Sequence, residues 1–212
     1  MTVEDIVRRR GITEILHFTT NLGLVGILDS RFLKSRQRIE NDQRLEHIFS
    51  PNAAFREKDA DWLDYVNLSI SRVNSKFFAI SKNHWHRDRD LWWCVLSFEP
   101  IILTHEGVYF TTTNNIYTGV QRGIGPAALE AMFAKNITRW TGYTVVRDPA
   151  LPAQFPTCEQ AEVLYPREVS STCLQRVYVS RDEDADEVYG QVEALNHSKF
   201  PVTVFPKMFG LS

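Results

Sequence analysis

The sequence predicts one α+β domain, residues 1–212, built from many short strands. Three observations carry that prediction. Short β-favouring stretches recur along the whole chain, the helical patterns between them are brief, and no repeat, linker or low-complexity segment separates them. The 212 residues suffice for one sizeable core, and 43% hydrophobic with 24% charged residues is the balance of an ordinary soluble globule.

Taken in order, residues 3–9 read as a short helix that Gly11 ends. Ile15-Leu16-His17-Phe18-Thr19 predicts a first strand. Thr20 or Asn21 then caps a helix over residues 22–28, with Leu22, Val25 and Leu28 on one face. Gly23 and Gly26 weaken that helix and imply close approach of something to its backbone. Residues 30–50 are polar, basic and weakly periodic, and read as a loop. A helix is expected from Pro51 or Asn52 to about Trp62. Residues 65–70 alternate clearly as a strand, residues 77–80 suit a strand or a helical turn, and residues 91–98 form a continuous apolar run, a buried strand.

Residues 101–103 and 108–111 predict two further short strands, and residues 114–125 a loop rich in Gly and Asn. Pro126 suits the first position of a helix that runs to Lys135. A Pro-rich, mobile loop spans Asp148 to Pro156. The stretch Cys158-Glu159-Gln160-Ala161-Glu162-Val163-Leu164-Tyr165 follows, polar at first and then a β-favouring run. A strand over 174–180, a helix over 187–195 and a strand over 202–205 close the chain.

Composition narrows the function. With no apolar run of 18 residues, no membrane span is expected. The charged residues 1–10 lack the apolar core of a secretory signal. Cys94, Cys158 and Cys173 are dispersed and odd in number, which suits a cytoplasmic location better than a disulfide framework. A net charge of −2 argues against coating nucleic acid by bulk electrostatics, yet local basic clusters occur at Arg31–Arg38 and Lys82–Arg89. No Gly-rich phosphate loop is present. His84 and His86 are the one spaced pair that hints at a metal, and a solvated loop explains them as well; no metal is expected. A glycosidase needs two placed carboxylates, and only Glu162 stands out, at the hand-over from loop to strand.

A set of landmarks gives the chain a resemblance: Ile15-Leu16-His17-Phe18-Thr19 with Gly26-Ile27-Leu28, Glu46-His47-Ile48, Asp64-Tyr65-Val66, Val108-Tyr109-Phe110-Thr111, and Gln160-Ala161-Glu162-Val163-Leu164. In order and spacing they resemble the DarT family of toxin ADP-ribosyltransferases, which use NAD to modify bases of single-stranded DNA. The resemblance implies an ADP-ribosyltransferase-like fold: two short-stranded sheets forming an NAD cleft, with flanking helices. It also implies that His17 and Thr19 hold the adenosine ribose and nearby groups of NAD. Gly26 would pack against the dinucleotide, and His47 would lie in a loop over it. Glu162 would be catalytic, and residues 148–158 would recognise the substrate. The family's arginine, which holds cofactor and assists the base, falls by direct count on Asn52; Arg56 is the choice here and Arg44 the fallback. In a related transferase subgroup with a His-Tyr-Glu signature an aromatic residue stacks on nicotinamide; Phe77, Phe78 and Tyr65 are the candidates here, and none is clearly matched.

The implied chemistry places Glu162 beside an oxocarbenium-like ribose as nicotinamide leaves. The acceptor base must be unstacked, hence single-stranded DNA, with RNA as the close variant. Stacking and phosphate contacts are expected from Tyr143, Arg147 and Phe155, and from Trp85 with Arg87 and Arg89. NAD hydrolysis and a non-catalytic nucleic-acid-binding module are the rival readings. A toxin of this kind also implies a cognate antitoxin.

Overall fold

The computed structural model describes residues 1–40, 42, 57–85 and 90–211. Helix α1 (Val3–Arg10) opens with Thr2, whose hydroxyl accepts from the Asp5 amide while the Asp5 carboxylate accepts from the Thr2 amide. Gly11 ends it in the left-handed region at φ 67°. Strand β1 (Ile15–Thr20) leads directly into α2 (Asn21–Ser30), because the Thr20 hydroxyl caps the Gly23 amide at 3.2 Å. Strand β2 (Phe32–Lys34), helix α3 (Arg36–Glu40) and a 3₁₀ turn (Glu57–Trp62) precede strand β3 (Tyr65–Ile70). Helix α4 (Ser75–Ile80) is capped by Asn74 and passes into a short π turn before β4 (Trp93–Phe98).

Strands β5 (Tyr109–Thr111) and β6 (Arg122–Ile124) form a long-looped hairpin that enters α5 (Gly125–Ala131). A second hairpin, β7 (Asn136–Trp140) and β8 (Tyr143–Val146), stands apart from the main sheet. After it come β9 (Glu162–Pro166), β10 (Glu168–Ser170), β11 (Leu174–Val179), α6 (Asp182–Ala194) and β12 (Val202–Val204).

Eight strands form one sheet in the order β12-β11-β4-β1-β3-β9-β5-β6. Its middle joint is narrow. Strand β1 pairs with β4 over six residues, but with β3 only at Ile15↔Ile70 and Leu16↔Ser69. From His17 onward the two strands part, so the expected two sheets are halves of one sheet hinged at a two-rung joint. The main core, including Ile15, Leu68, Phe98, Phe110, Val163 and Val177, runs across both halves. A smaller cluster of Leu16, Phe78, Trp93, Tyr178 and Phe209 packs on the β1–β4 half, with Phe18 against it.

Several expectations are corrected. Residues 101–103 lie in a 3₁₀ turn, Pro100–Thr104, where Pro100 presets φ and the Thr104 hydroxyl donates to the Ile101 carbonyl. Residues 32–40 hold β2 and α3 rather than loop; β2 exists only through pairing with distant β10. The helix read over 187–195 starts at Asp182, whose acidic first turn suits the positive helix end. The helix read to Lys135 ends at Ala131. Hairpin β7–β8 was not anticipated, because the inward position after Ile137 is Arg139 and the outward one is Trp140, which breaks the apolar alternation. Of the helix expected from residue 51 or 52, positions up to 56 lie outside the described residues.

Candidate active site

Glu162 begins β9 and is 9% exposed. Its neighbour Val163 enters the core, so by strand alternation the carboxylate lies on the opposite face, with Asn67 diagonally across on β3. Asn67 Nδ2 donates to Oε1 at 3.1 Å, and the Asn115 backbone amide donates to Oε2 at 2.8 Å. A buried carboxylate held by such donors loses little of its hydration without replacement. The main chain is fixed too: the Glu162 amide donates to the Thr111 hydroxyl at 3.1 Å, and that hydroxyl donates to the Thr113 carbonyl. Arg122 on β6 grips Asn115 twice, Nε to the side-chain oxygen and Nη2 to the carbonyl. Asn67, Asn115 and Arg122 carry no motif by which the sequence marks them; Asn67 shows only as a polar position in an alternating strand.

His17 sits where β1 and β3 separate. Its Nδ1 lies 3.0 Å from the Asn67 carbonyl, so this nitrogen carries the proton and donates. The ring thereby supplies the partner that a missing rung of the sheet denies to that carbonyl. Burial pulls the imidazole below its ordinary pKa, with the Asn67 bond opposing, which favours a neutral ring with an acceptor lone pair on Nε2. One residue, Asn67, therefore touches both His17 and Glu162. Thr19 lies two positions along β1. A Cβ on Gly23 would come within 2.1 Å of the Thr19 hydroxyl oxygen, so Gly23 is the glycine that permits close approach there. Gly26 is buried within α2, and its carbonyl accepts from Ser30 Oγ.

The loop before Glu162 is held by several arginine side chains. Arg147 donates to the carbonyls of Phe155 (2.8 Å) and Pro152 (3.0 Å), Arg72 to that of Pro156 (2.8 Å), and Arg10 to that of Ala153 (3.4 Å). The Arg72 guanidinium also faces the Phe155 ring at 5.4 Å. Arg147 and Phe155, expected from the sequence to contact DNA, take part in these contacts within the loop. Tyr143 on β8 is exposed and stacks on Trp140.

Phe78 is buried in the smaller aromatic cluster, Phe77 is half-buried against Phe18, and Tyr65 packs with Trp62 and Tyr109. His47, Arg56, Arg44, Arg87 and Arg89 lie outside the described residues, as does the side chain of Trp85. Among the described residues no group of His, Cys, Asp and Glu is placed to hold a metal, and no helix is long and apolar enough to cross a membrane.

A large central sheet that parts at its middle, flanked by helices, is the fold of an ADP-ribosyltransferase-like domain. Residues 16–210 match the family model described as ssDNA thymidine ADP-ribosyltransferase, DarT, and the chain belongs to that family. It is an NAD-dependent ADP-ribosyltransferase that acts on a base of single-stranded DNA.

Solved structures agree on the fold. Thermus sp. 2.9 DarT in complex with ADP-ribosylated ssDNA matches with TM-score 0.64 at 15% identity, over 93% of this chain and 96% of that one. The same protein in complex with carba-NAD+ gives 0.62 at 16%, over 92% and 97%. Thermosipho africanus DarTG in complex with ADP-ribose gives 0.65 at 15%, over 94% of this chain and 52% of that one. No curated protein matches the sequence.

Proposed function

We propose that Glu162 is the catalytic carboxylate, that the opening between β1 and β3 receives NAD, and that the acceptor is a thymine in single-stranded DNA. The observation that carries this reading is the shared residue Asn67, which joins the histidine of one lip to the glutamate beyond the other. The C1″–nicotinamide bond breaks with its electron pair leaving on nicotinamide, and positive charge spreads over C1″ and the ribose ring oxygen. Glu162, already oriented by Asn67 and the Asn115 amide, offers its carboxylate to a ribose hydroxyl and to that charge. The imide nitrogen of thymine attacks C1″ and releases its proton to solvent or to a neighbouring acceptor, which leaves a neutral N-glycosidic product.

His17 Nε2 accepts from a ribose hydroxyl of NAD, and Thr19 adds a second polar contact on the same lip. Gly26 permits close packing against the dinucleotide, and His47 and Arg56 take part in binding the cofactor, a reading supported by the family. Arg56 orients the acceptor and stabilises charge rather than serving as a base, since a guanidinium is ordinarily protonated. Tyr143 contacts the DNA. The chain acts as a single domain and is a toxin held in check by a cognate antitoxin, a reading supported by its family.

Incubation with labelled NAD and short oligonucleotides tests the proposal. Single-stranded DNA containing thymine should gain the mass of one ADP-ribose, and Glu162→Ala should abolish the gain. Modification of RNA alone, free ADP-ribose with unmodified DNA, or near-normal activity of Glu162→Ala would each overturn it.

A further inference from the structure

The hairpin β7–β8 carries a cluster that the chemistry at Glu162 leaves unused. Trp140 and Tyr143 face one another across the turn, their rings stacked at 4.6 Å and 17°. Both remain open to solvent, 40% and 43% exposed. Beside them Arg139 is 6% exposed, with its guanidinium carbon 4.9 Å from the ring centre of Tyr117, 5.0 Å from that of Trp140 and 5.3 Å from that of Tyr143. Its Nη2 donates to the Tyr117 hydroxyl at 3.1 Å. Among the described residues its Nε has no hydrogen-bond partner, and none of the ion pairs there involves it. A buried cation surrounded by aromatic faces instead of an acid is an unusual choice for a core, where charge is normally paired.

The cluster is tied to the active site by short links. The Tyr117 hydroxyl donates to Gln160 Oε1 at 3.3 Å, two positions before Glu162. Asn115, two positions before Tyr117, supplies the amide that holds the Glu162 carboxylate. An exposed, flat, stacked pair with cationic charge beside it suits a partner with a π-face and an anionic tether, which describes a nucleotide of an unpaired strand.

We propose that Trp140 and Tyr143, oriented by Arg139, form a stacking subsite for a nucleobase that flanks the modified one. This rests on the reading of Glu162 as the centre of single-stranded DNA modification, and deepens it by giving the hairpin a part in holding the strand.

The test compares wild type, Trp140→Ala and Trp140→Phe on thymine-containing oligonucleotides in which each flanking nucleoside is replaced, one at a time, by an abasic one. DNA binding and the rate of ADP-ribosylation are read together with NAD affinity. Stacking of one base predicts roughly 5- to 150-fold weakening of DNA binding in Trp140→Ala. Trp140→Phe should restore most of it, and NAD affinity should be unchanged. One abasic position should weaken wild type to a similar degree and weaken Trp140→Ala no further. Unchanged DNA binding by Trp140→Ala, or losses that add at every abasic position, would overturn the subsite while leaving the Glu162 reading intact. Failure of wild type to modify any DNA would remove both.

Discussion

Asn67 is the residue on which the site turns. Replacing it with Ala removes a donor from a buried carboxylate, an effect of about 1.5–3 kcal/mol for a hydrogen bond to a charged group. Asn67→Ala is expected to slow ADP-ribosylation roughly 10- to 100-fold, with the backbone carbonyl still present for His17, so NAD affinity measured by calorimetry should change less than the rate. Glu162→Gln keeps the shape and removes the charge, and should cost roughly 10²–10³ in single-turnover rate. His17 adds a pH dependence. Its folded pKa lies below the ordinary 6.5, so below about pH 6.5 the unfolded chain binds the extra proton first. Stability therefore falls as the pH drops from there toward the folded pKa. NAD affinity should fall at lower pH still, through and below the folded pKa, where the folded ring takes up its proton and Nε2 ceases to accept, and His17→Gln should flatten that fall. The position of Glu162, where a loop hands over to a strand, is legible in the sequence. The groups that orient it are not, since a backbone amide and a strand asparagine have no spacing signature.

At the scale of elements, the approach of α2 to β1 depends on the absence of a side chain at Gly23. Gly23→Ala would force the Thr19 hydroxyl aside, and a loss of about 1–3 kcal/mol is expected from thermal unfolding. Combination with Thr19→Ala should recover part of it; a loss that persists in full would show that another contact is responsible. The loop before β9 depends on Arg147, and Arg147→Met strips donors from the carbonyls of Pro152 and Phe155. Protease cleavage within residues 148–157 should rise in that variant, whereas equal resistance in both proteins would remove the bracing role. The elements that are readable from sequence are those whose own residues decide them. Strand β4 is buried at each of its six positions, and β3 alternates cleanly. Strand β2 is decided by β10, and β7 turns an arginine inward, so neither betrays itself locally.

For the whole molecule, the core crosses the two-rung joint, so the halves should unfold together as one cooperative transition in denaturant. Two separated transitions would show that each half folds alone. Saturating NAD should raise the melting temperature, with about 2.7 kcal/mol of stabilisation at a hundredfold excess over Kd. The rise should be reduced in His17→Ala.

The three arginines that secure the loop before β9 all grasp carbonyl oxygens, at Pro152, Ala153, Phe155 and Pro156. These carbonyl grips do not depend on the side chains those positions bear, although Arg72 also faces the Phe155 ring and Arg147 also donates to the Thr157 hydroxyl. The contour of this segment can therefore outlast exchange of its outward-facing residues, and its surface can be rewritten without displacing the strand that follows it.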